Sequence, residues 1–313
     1  MNFWLVVNGK GVGNPELREA VDRIRNEGVN LSVRVTWESG DIARFLEEAV
    51  DQNLDRIIVA GGDGTLHEAT NALMGIESSR RPALGIIPIG TANDFATATG
   101  IPNPPLDALS LAVHGTPRAI DVARINELYF LNMASGGFGA KVTSDTPPAL
   151  KKLLGGGAYS LVGLMQAWRF EPFRCHLQTR DGHYERDLIV LAIGNGRQAG
   201  GGQELTPRAL LNDGLLDVLT VESFSLSRAG SAIQELRELP TDGKLVRYHQ
   251  LTSMDFQSET PLPINLDGEF HEFTQARIEV CPGALTIILP DECQLMYEGR
   301  PAARHGRGEQ ENI

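Results

Sequence analysis

The hydrophobic and polar positions change rhythm once along the chain, near residue 118. Before that point, short apolar runs alternate with helically spaced segments. FWLVV (3–7) is an unbroken apolar run of the kind a buried strand shows. NPELREAVDRIRNEG follows, with Leu17, Val21 and Ile24 on one helical face, Asn14 placed to cap, Pro15 at the first helical position and Gly28 as terminator. NLSVRVTW (30–37) alternates as a strand does, and Asp41 is placed to cap the helix IARFLEEAVDQN. RIIVA (56–60) and ALGIIPI (83–89) are strands again, with the helix LHEATNALM between them. Strands alternating with helices of this length predict a parallel sheet covered by helices.

Beyond residue 118 the pattern is a series of strand-like runs: AIDVARIN, LYFLNMAS, RCHLQTRDG, HYERDLIVLAIGNG, GLLDVLTVES, LPINLDGEF, ARIEVCPG and ALTIILP. Only residues 150–170 and 227–239 have helical spacing there. Strands after an alternating half predict a second, mostly antiparallel domain. The expected division is 1–127 for the first domain, 128–285 for the second, and a disordered polar tail at 300–313.

Composition narrows the class. A net charge of −12 and a pI near 5.1, with no block of basic residues, exclude nucleic acid as the expected partner. Cys175, Cys281 and Cys293 show no CxxC spacing, which fits idle thiols in a reducing compartment. The apolar run at 3–7 is too short for a signal-peptide core, and no run is long enough to span a bilayer, so the cytoplasm is the expected location.

The stretch IIVAGGDGTLHEATNALMG (57–75) concentrates the candidate chemistry. It puts glycines and a carboxylate at the carboxyl edge of a parallel strand, where such folds bind ligands. Gly61, Gly62 and Gly64 would let backbone N–H groups approach a phosphate, and the helix N-terminus adds unpaired donors. Asp63 would repel a phosphate unless a cation intervenes, which points to metal-nucleotide chemistry. A tight turn with a capping Asp or Thr accounts for the same residues without a ligand. The loop fits neither GxGxxG nor GxxxxGK[ST], and NGKGVGN (8–14) lacks the third glycine of a dinucleotide loop. After GIIPI a second small-residue loop, Gly90-Thr91-Ala92-Asn93-Asp94-Phe95-Ala96, runs into a short helix. Two such loops on neighbouring strand ends predict the lips of one crevice.

GGDGT followed by PIGTANDFA resembles the diacylglycerol kinase catalytic-domain family, and within it the bacterial YegS-type lipid kinases. The resemblance extends through RVTWESGD (34–41), FLNMASGGFGA (130–140), IGNGRQAGGGQ (193–203), LLNDGLLDV (210–218) and INLDGE (264–269), covering the chain to about residue 298. It implies an α/β nucleotide-binding domain of the NAD kinase/diacylglycerol kinase type, a β-rich sandwich-like second domain, and ATP with Mg²⁺ in the cleft between them. It also implies that the last strand, at 286–299, returns to the first domain. Thr36, Gly62, Asp63, Gly64, Thr65, Leu66, His67, Glu68 and Thr91 are the implied ATP contacts, with Gly61 and Asn93 in the same two loops. Two positions depart from the family: His67 stands where Asn is commoner, and Asn8-Gly9-Lys10-Gly11 lacks the Ser of an Asn-Pro-x-Ser-Gly pattern.

The same resemblance implies a structural or activating Mg²⁺ or Ca²⁺ held by Asp213 and the backbone carbonyls of Leu210 and Leu215, with Asp217 as a polar neighbour. On the residues alone an Asp-Gly hairpin turn is the plainer reading of that segment. Glu269 is the implied general base, Asp63 serves the metal, and Asp267 orients the base or a metal-bound water. Asp121 is one more carboxylate that could reach the cleft. The apolar segment 155–170 reads as core, or as a wall for acyl chains that touches the membrane surface. The acceptor is then a lipid hydroxyl of the diacylglycerol or phosphatidylglycerol type. Two rivals are an NAD kinase-like enzyme, which would show a GxLGF-type loop in place of GTANDFA, and a non-catalytic lipid- or nucleotide-binding protein.

Overall fold

The structure is a computed structural model that describes residues 2–137, 172–180, 182–199 and 202–297. The apolar segment 155–170 and the tail 300–313 lie outside the described residues. The first domain runs β1 (Asn2–Val7), α1 (Pro15–Asn26), β2 (Asn30–Val35), α2 (Asp41–Asp51), β3 (Arg56–Gly61), α3 (Asp63–Met74), β4 (Ala83–Pro88), α4 (Asp94–Thr99) and α5 (Pro105–His114). Its strands are all parallel, in the order β4-β3-β1-β2. The carboxyl ends of the four strands therefore share one edge.

Local chemistry explains where these elements start. Asn14 Oδ1 accepts the Leu17 N–H at 3.1 Å and Pro15 opens α1, while Leu17, Ala20, Val21 and Ile24 fill its buried face. Burial of each large apolar side chain contributes roughly 2 kcal/mol toward holding the helix on the sheet. Asp41 sits inside the first turn of α2 instead of capping it; Gly40 takes the cap position. The carboxylate of Asp41 reaches back to the loop before the helix, accepting the N–H groups of Trp37 and Glu38.

The second domain comprises β5 (Pro117–Ile125), β6 (Leu128–Phe130), β7 (Met133–Gly137), β8 (Phe173–Thr179), β9 (Gly182–Gly194), β10 (Gln198–Ala199), β11 (Gln203–Glu204), β12 (Leu216–Glu222), α6 (Ala229–Glu238), β13 (Val246–Leu251), β14 (Ser253–Leu266) and β15 (Glu269–Ile288). Pairing within it is antiparallel, and its core gathers Leu177, Leu191, Ile193, Phe256, Ile264 and Ile278.

One strand belongs to both domains. β15 pairs antiparallel with β14 from Leu266↔Glu269 to Ser253↔Glu279, then with β5 as far as Ile288↔Pro117, and meets β4 in parallel at Ile287↔Leu84. The sequence pattern separates ARIEVCPG from ALTIILP, but the two runs form one strand. Pro282 and Gly283 make a bulge in it, where the pairing with β5 shifts register between Cys281 and Leu285.

Candidate functional site

The two glycine loops meet as neighbouring lips. Gly90 lies so close to the first loop that a β-carbon on it would fall 2.4 Å from the Gly62 Cα. Asn93 holds the second loop in this position. Its Oδ1 accepts the Gly90 N–H and its Nδ2 donates to the Gly90 carbonyl, each at 3.0 Å, from a left-handed backbone with φ 53°. The side chain of Asn93 therefore shapes the lip, and Thr91 stands exposed on it.

The first loop is shorter than its glycines suggest. α3 begins at Asp63, so Gly64 and Thr65 already lie in its first turn. Thr65 is buried, and its Oγ1 accepts from Asn8 Nδ2 at 3.1 Å, tying the first loop to the end of β1. Thr36 Oγ1 accepts the Gly9 N–H at 3.0 Å, so a hydroxyl from β2's end braces the loop that lacks the family serine.

Two of the expected contacts, Leu66 and His67, turn their side chains elsewhere. Leu66 packs into the core, and its N–H bonds the Gly62 carbonyl within the helix. His67 is buried toward the second domain, with Nδ1 3.9 Å from Asp267 Oδ2 and its ring 6.5 Å from that of His271. Glu68 is half-buried on the following turn. Asp121 does not reach the crevice with its carboxylate. Its two oxygens accept the N–H groups of Gly214 (2.7 Å) and Gly283 (2.8 Å), clamping the Asp213 loop to the β15 bulge.

The β14–β15 turn brings the second domain's carboxylates to the first helix. Asp267, at φ 49°, accepts the N–H groups of Leu131 (2.7 Å), Asn132 (3.0 Å) and Met133 (2.9 Å). Its carboxylate is spent on holding the turn, which presents Glu269. Glu269 Oε1 would lie 3.0 Å from a β-carbon on Gly64, directly over the start of α3. Asn71, one turn beyond His67, bonds both the carbonyl and the N–H of Tyr129 at 2.9 Å and seals the same junction. Asn71 gave no sequence signal, since an Asn on a helix face reads as surface. Asp94 was visible only as part of its loop; it is buried and accepts the Gly202 N–H at 2.8 Å.

Burial and neighbouring carboxylates act on the acidic groups of both loops. Asp63 is pushed up to about 6, first by burial and then by the charge of Asp94, with Asp267 adding to it. Among the described residues no three acidic, His or Cys side chains are grouped to hold a metal. Mg²⁺ fits such a site because it takes one or two carboxylates and fills its remaining positions with phosphate oxygens and water. In the other loop, Asp213 Oδ1 accepts the Leu215 N–H at 3.0 Å, and the charge of Asp213 adds to burial in raising both Asp121 and Asp217. This accumulation of negative charge around Leu210, Asp213 and Leu215 fits a hard cation bound by mixed carboxylate and carbonyl oxygens. Asp217 itself is fully buried and is taken up by Tyr248 Oη at 2.7 Å.

Comparison with known proteins accords with this geometry. The diacylglycerol kinase catalytic domain family matches residues 2–125, and the YegS C-terminal NAD kinase β-sandwich-like domain matches 132–289. The chain is 49% identical over 296 residues to the "Probable lipid kinase YegS-like" of Chromohalobacter salexigens, covering 94% of each. It is 42% identical over 295 residues to the protein of the same description from Shewanella frigidimarina, covering 94% of this chain and 96% of the relative. A crystal structure of a diacylglycerol kinase from Bacillus anthracis superposes with a TM-score of 0.72 at 26% identity, over 93% of this chain and 97% of that one. The fold and site define a two-domain kinase of the diacylglycerol kinase type. The chain belongs to the YegS-like lipid kinase family.

Proposed function

We propose that this lipid kinase transfers the γ-phosphoryl group of ATP to a free hydroxyl of a diacylglycerol- or phosphatidylglycerol-type lipid. The observation that carries the reading is the placement of Glu269 over the first turn of α3, a carboxylate of one domain against the phosphate-binding loop of the other. Glu269 accepts the proton of the lipid hydroxyl as its oxygen attacks the γ-phosphorus, and the bond to the bridging oxygen of ADP breaks. Backbone N–H groups at the two lips position the phosphates, and Asp63 would hold Mg²⁺, which when bound would supply positive charge to the transferring group. Asp267 keeps Glu269 in place. Leu210, Asp213 and Leu215 would hold a second cation, Mg²⁺ or Ca²⁺, in a structural or activating role. Among the described residues no helix is long and apolar enough to cross a membrane; contact with the lipid is made at the bilayer surface.

The test is transfer of label from γ-labelled ATP into a panel of micellar lipids with Mg²⁺, with NAD as a competing acceptor and Glu269→Ala as control. Label in one lipid, absent with Glu269→Ala, is the expected result and names the substrate. Label in NAD would move the chain to the NAD kinases.

A further inference from the structure

β9 changes partners partway along. It pairs with β12 from Gly194↔Asp217 to Leu188↔Glu222, and with β8 from Leu188↔Phe173 to Gly182↔Thr179. One strand therefore serves two pairs, and a cleft of about 50 Å³ is left between the β8–β9 hairpin and β12–β13. Leu177 of β8, Val218 of β12, Leu251 of β13 and Met254 of β14 line it with apolar surface continuous with the core of the second domain. Met254 and Leu266 stand near opposite ends of β14, so the cleft is remote from the turn that presents Glu269.

The same cleft carries groups that an apolar core does not need. Arg186 of β9 and Arg247 of β13 line it, both partly buried, and both bond to one oxygen, Glu222 Oε1, Arg186 through Nε at 2.9 Å. Two guanidiniums on one carboxylate leave a surplus positive charge, in a chain whose net charge is −12. An ion pair that only braced the strands would be complete with one arginine. Glu235, which α6 brings to the start of β13, accepts the N–H groups of Leu245 and Val246 at 2.8 Å and lies in the field of Arg228. Thr220 pairs with Arg247 in the β12–β13 ladder and lines the cleft. It is 7% exposed, and its hydroxyl has no hydrogen-bond partner among the described residues. A valine would fill that place without leaving a polar atom to satisfy.

An unpartnered hydroxyl beside a surplus guanidinium charge suits an anion, and the apolar floor suits a carbon chain. The surplus matches a monoanion better than a phosphate monoester, which carries about −1.5 to −2 at neutral pH. Size limits the tail. An engineered cavity of about 150 Å³ takes the six carbons of benzene, so a cleft a third as large takes roughly two or three carbons. We propose that this cleft binds a short-chain carboxylate, its oxygens held by Arg186, Arg247 and the Thr220 hydroxyl and its tail against Val218, Leu251 and Met254. The site is separate from the phosphate lips and from Glu269, and it does not depend on the kinase reading.

The test follows the Met254 resonance in protein labelled at its methionine methyl groups, assigned with Met254→Leu. The chain is titrated with acetate, butyrate, hexanoate, 1-butanol and inorganic phosphate. Each buried methylene tightens binding roughly 4-fold, so butyrate is expected to bind roughly 15-fold more tightly than acetate. Hexanoate should gain nothing further, because the cleft is already full. 1-Butanol, with the same tail and no charge, should bind roughly 10-fold more weakly than butyrate. Arg247→Gln should weaken butyrate roughly 10-fold or more, and Thr220→Val roughly 5-fold. A Met254 signal that no carboxylate moves would overturn the proposal, as would butyrate and 1-butanol binding alike. Inorganic phosphate bound more tightly than butyrate would overturn it by making the cleft a phosphoryl site. Butyrate bound by Arg247→Gln as by the wild type would place the anion elsewhere and overturn it too. Should Arg247→Gln not fold, Thr220→Val decides, since it keeps both arginines and the shape of the side chain; unchanged butyrate affinity in it would overturn the proposal.

Discussion

Glu269 and Gly64 face each other across the two domains: a β-carbon on Gly64 would sit 3.0 Å from Glu269 Oε1, so the exposed carboxylate would have to give way by a few tenths of an ångström. Gly64 lies inside the first turn of α3, where glycine is unfavourable by about 1 kcal/mol relative to alanine. Gly64→Ala is therefore expected to keep or raise the melting temperature while lowering kcat about 10-fold, because small displacements of a reacting group are costly. Thermal melts and lipid phosphorylation on one preparation check both halves. An unchanged kcat would separate Glu269 from the chemistry.

Asp63 makes stability and activity respond to pH in opposite senses. Its carboxyl is raised from the ordinary 3.8 to about 6, so between pH 4 and 6 the folded chain keeps a proton that the unfolded chain has lost. Stability therefore falls as pH rises through that window. Asp63→Asn is expected to melt like the wild type at pH 4 and to be more stable at pH 7.5, by on the order of 2 kcal/mol. Phosphorylation by the variant is expected to be lost at every pH. Wild-type activity should decline as pH drops below about 6, and saturating Mg²⁺ with ATP should move that limb to lower pH. A wild-type profile flat from pH 5 to 8 would contradict the role given to Asp63.

Asp267 is a structural anion with a catalytic consequence. Asp267→Ala leaves three N–H groups at 131–133 without their acceptor and should cost about 3 kcal/mol, with loss of activity. Asp267→Asn keeps one acceptor oxygen and should fall between the two proteins in denaturant midpoint. If Asp267→Ala unfolds at the wild-type midpoint, these bonds do not hold the turn.

The two lips test separately from the chemistry. Gly90→Ala places a carbon 2.4 Å from the Gly62 Cα, contact with backbone that cannot rotate away. The expected result is a loss of about 2 kcal/mol in stability and weakened ATP and tripolyphosphate binding alike. Preserved binding of both would show that phosphates do not lie between the loops.

The sequence made the parallel half legible because each of its signals is local. Asn14, Pro15 and the Leu17/Val21/Ile24 face act within one helix, and the structure uses them as read. It was less informative where the cause lies far along the chain. Gly64 reads as loop, yet it lies in the first turn of α3, where Glu269 comes to it from far along the chain. His67 reads as a nucleotide contact by its motif, but it points to Asp267, about two hundred positions later. Asp121 reads as a free carboxylate, and its two acceptors are consumed by Gly214 and Gly283. Pro282 and Gly283 read as a turn because the partner that carries the strand on past the bulge, β5, lies outside any local window. β13 and the start of β14 carry a local signal of their own: Val246 with Tyr248, and Met254 with Phe256, alternate at the period of a strand and are buried.

β15 works as a tie-rod. It begins at Glu269 and pairs with the nucleotide-binding sheet at Ile287↔Leu84, so a single strand, bulged at Pro282–Gly283, joins the proton acceptor to that sheet. Rocking one domain on the other must deform this strand, and the Pro282–Gly283 bulge is where its pairing is interrupted. Alignment of base and phosphate is then a matter of register. A slip of one residue along β14 would turn Glu269 to the opposite face of the sheet and disarm the enzyme without unfolding it.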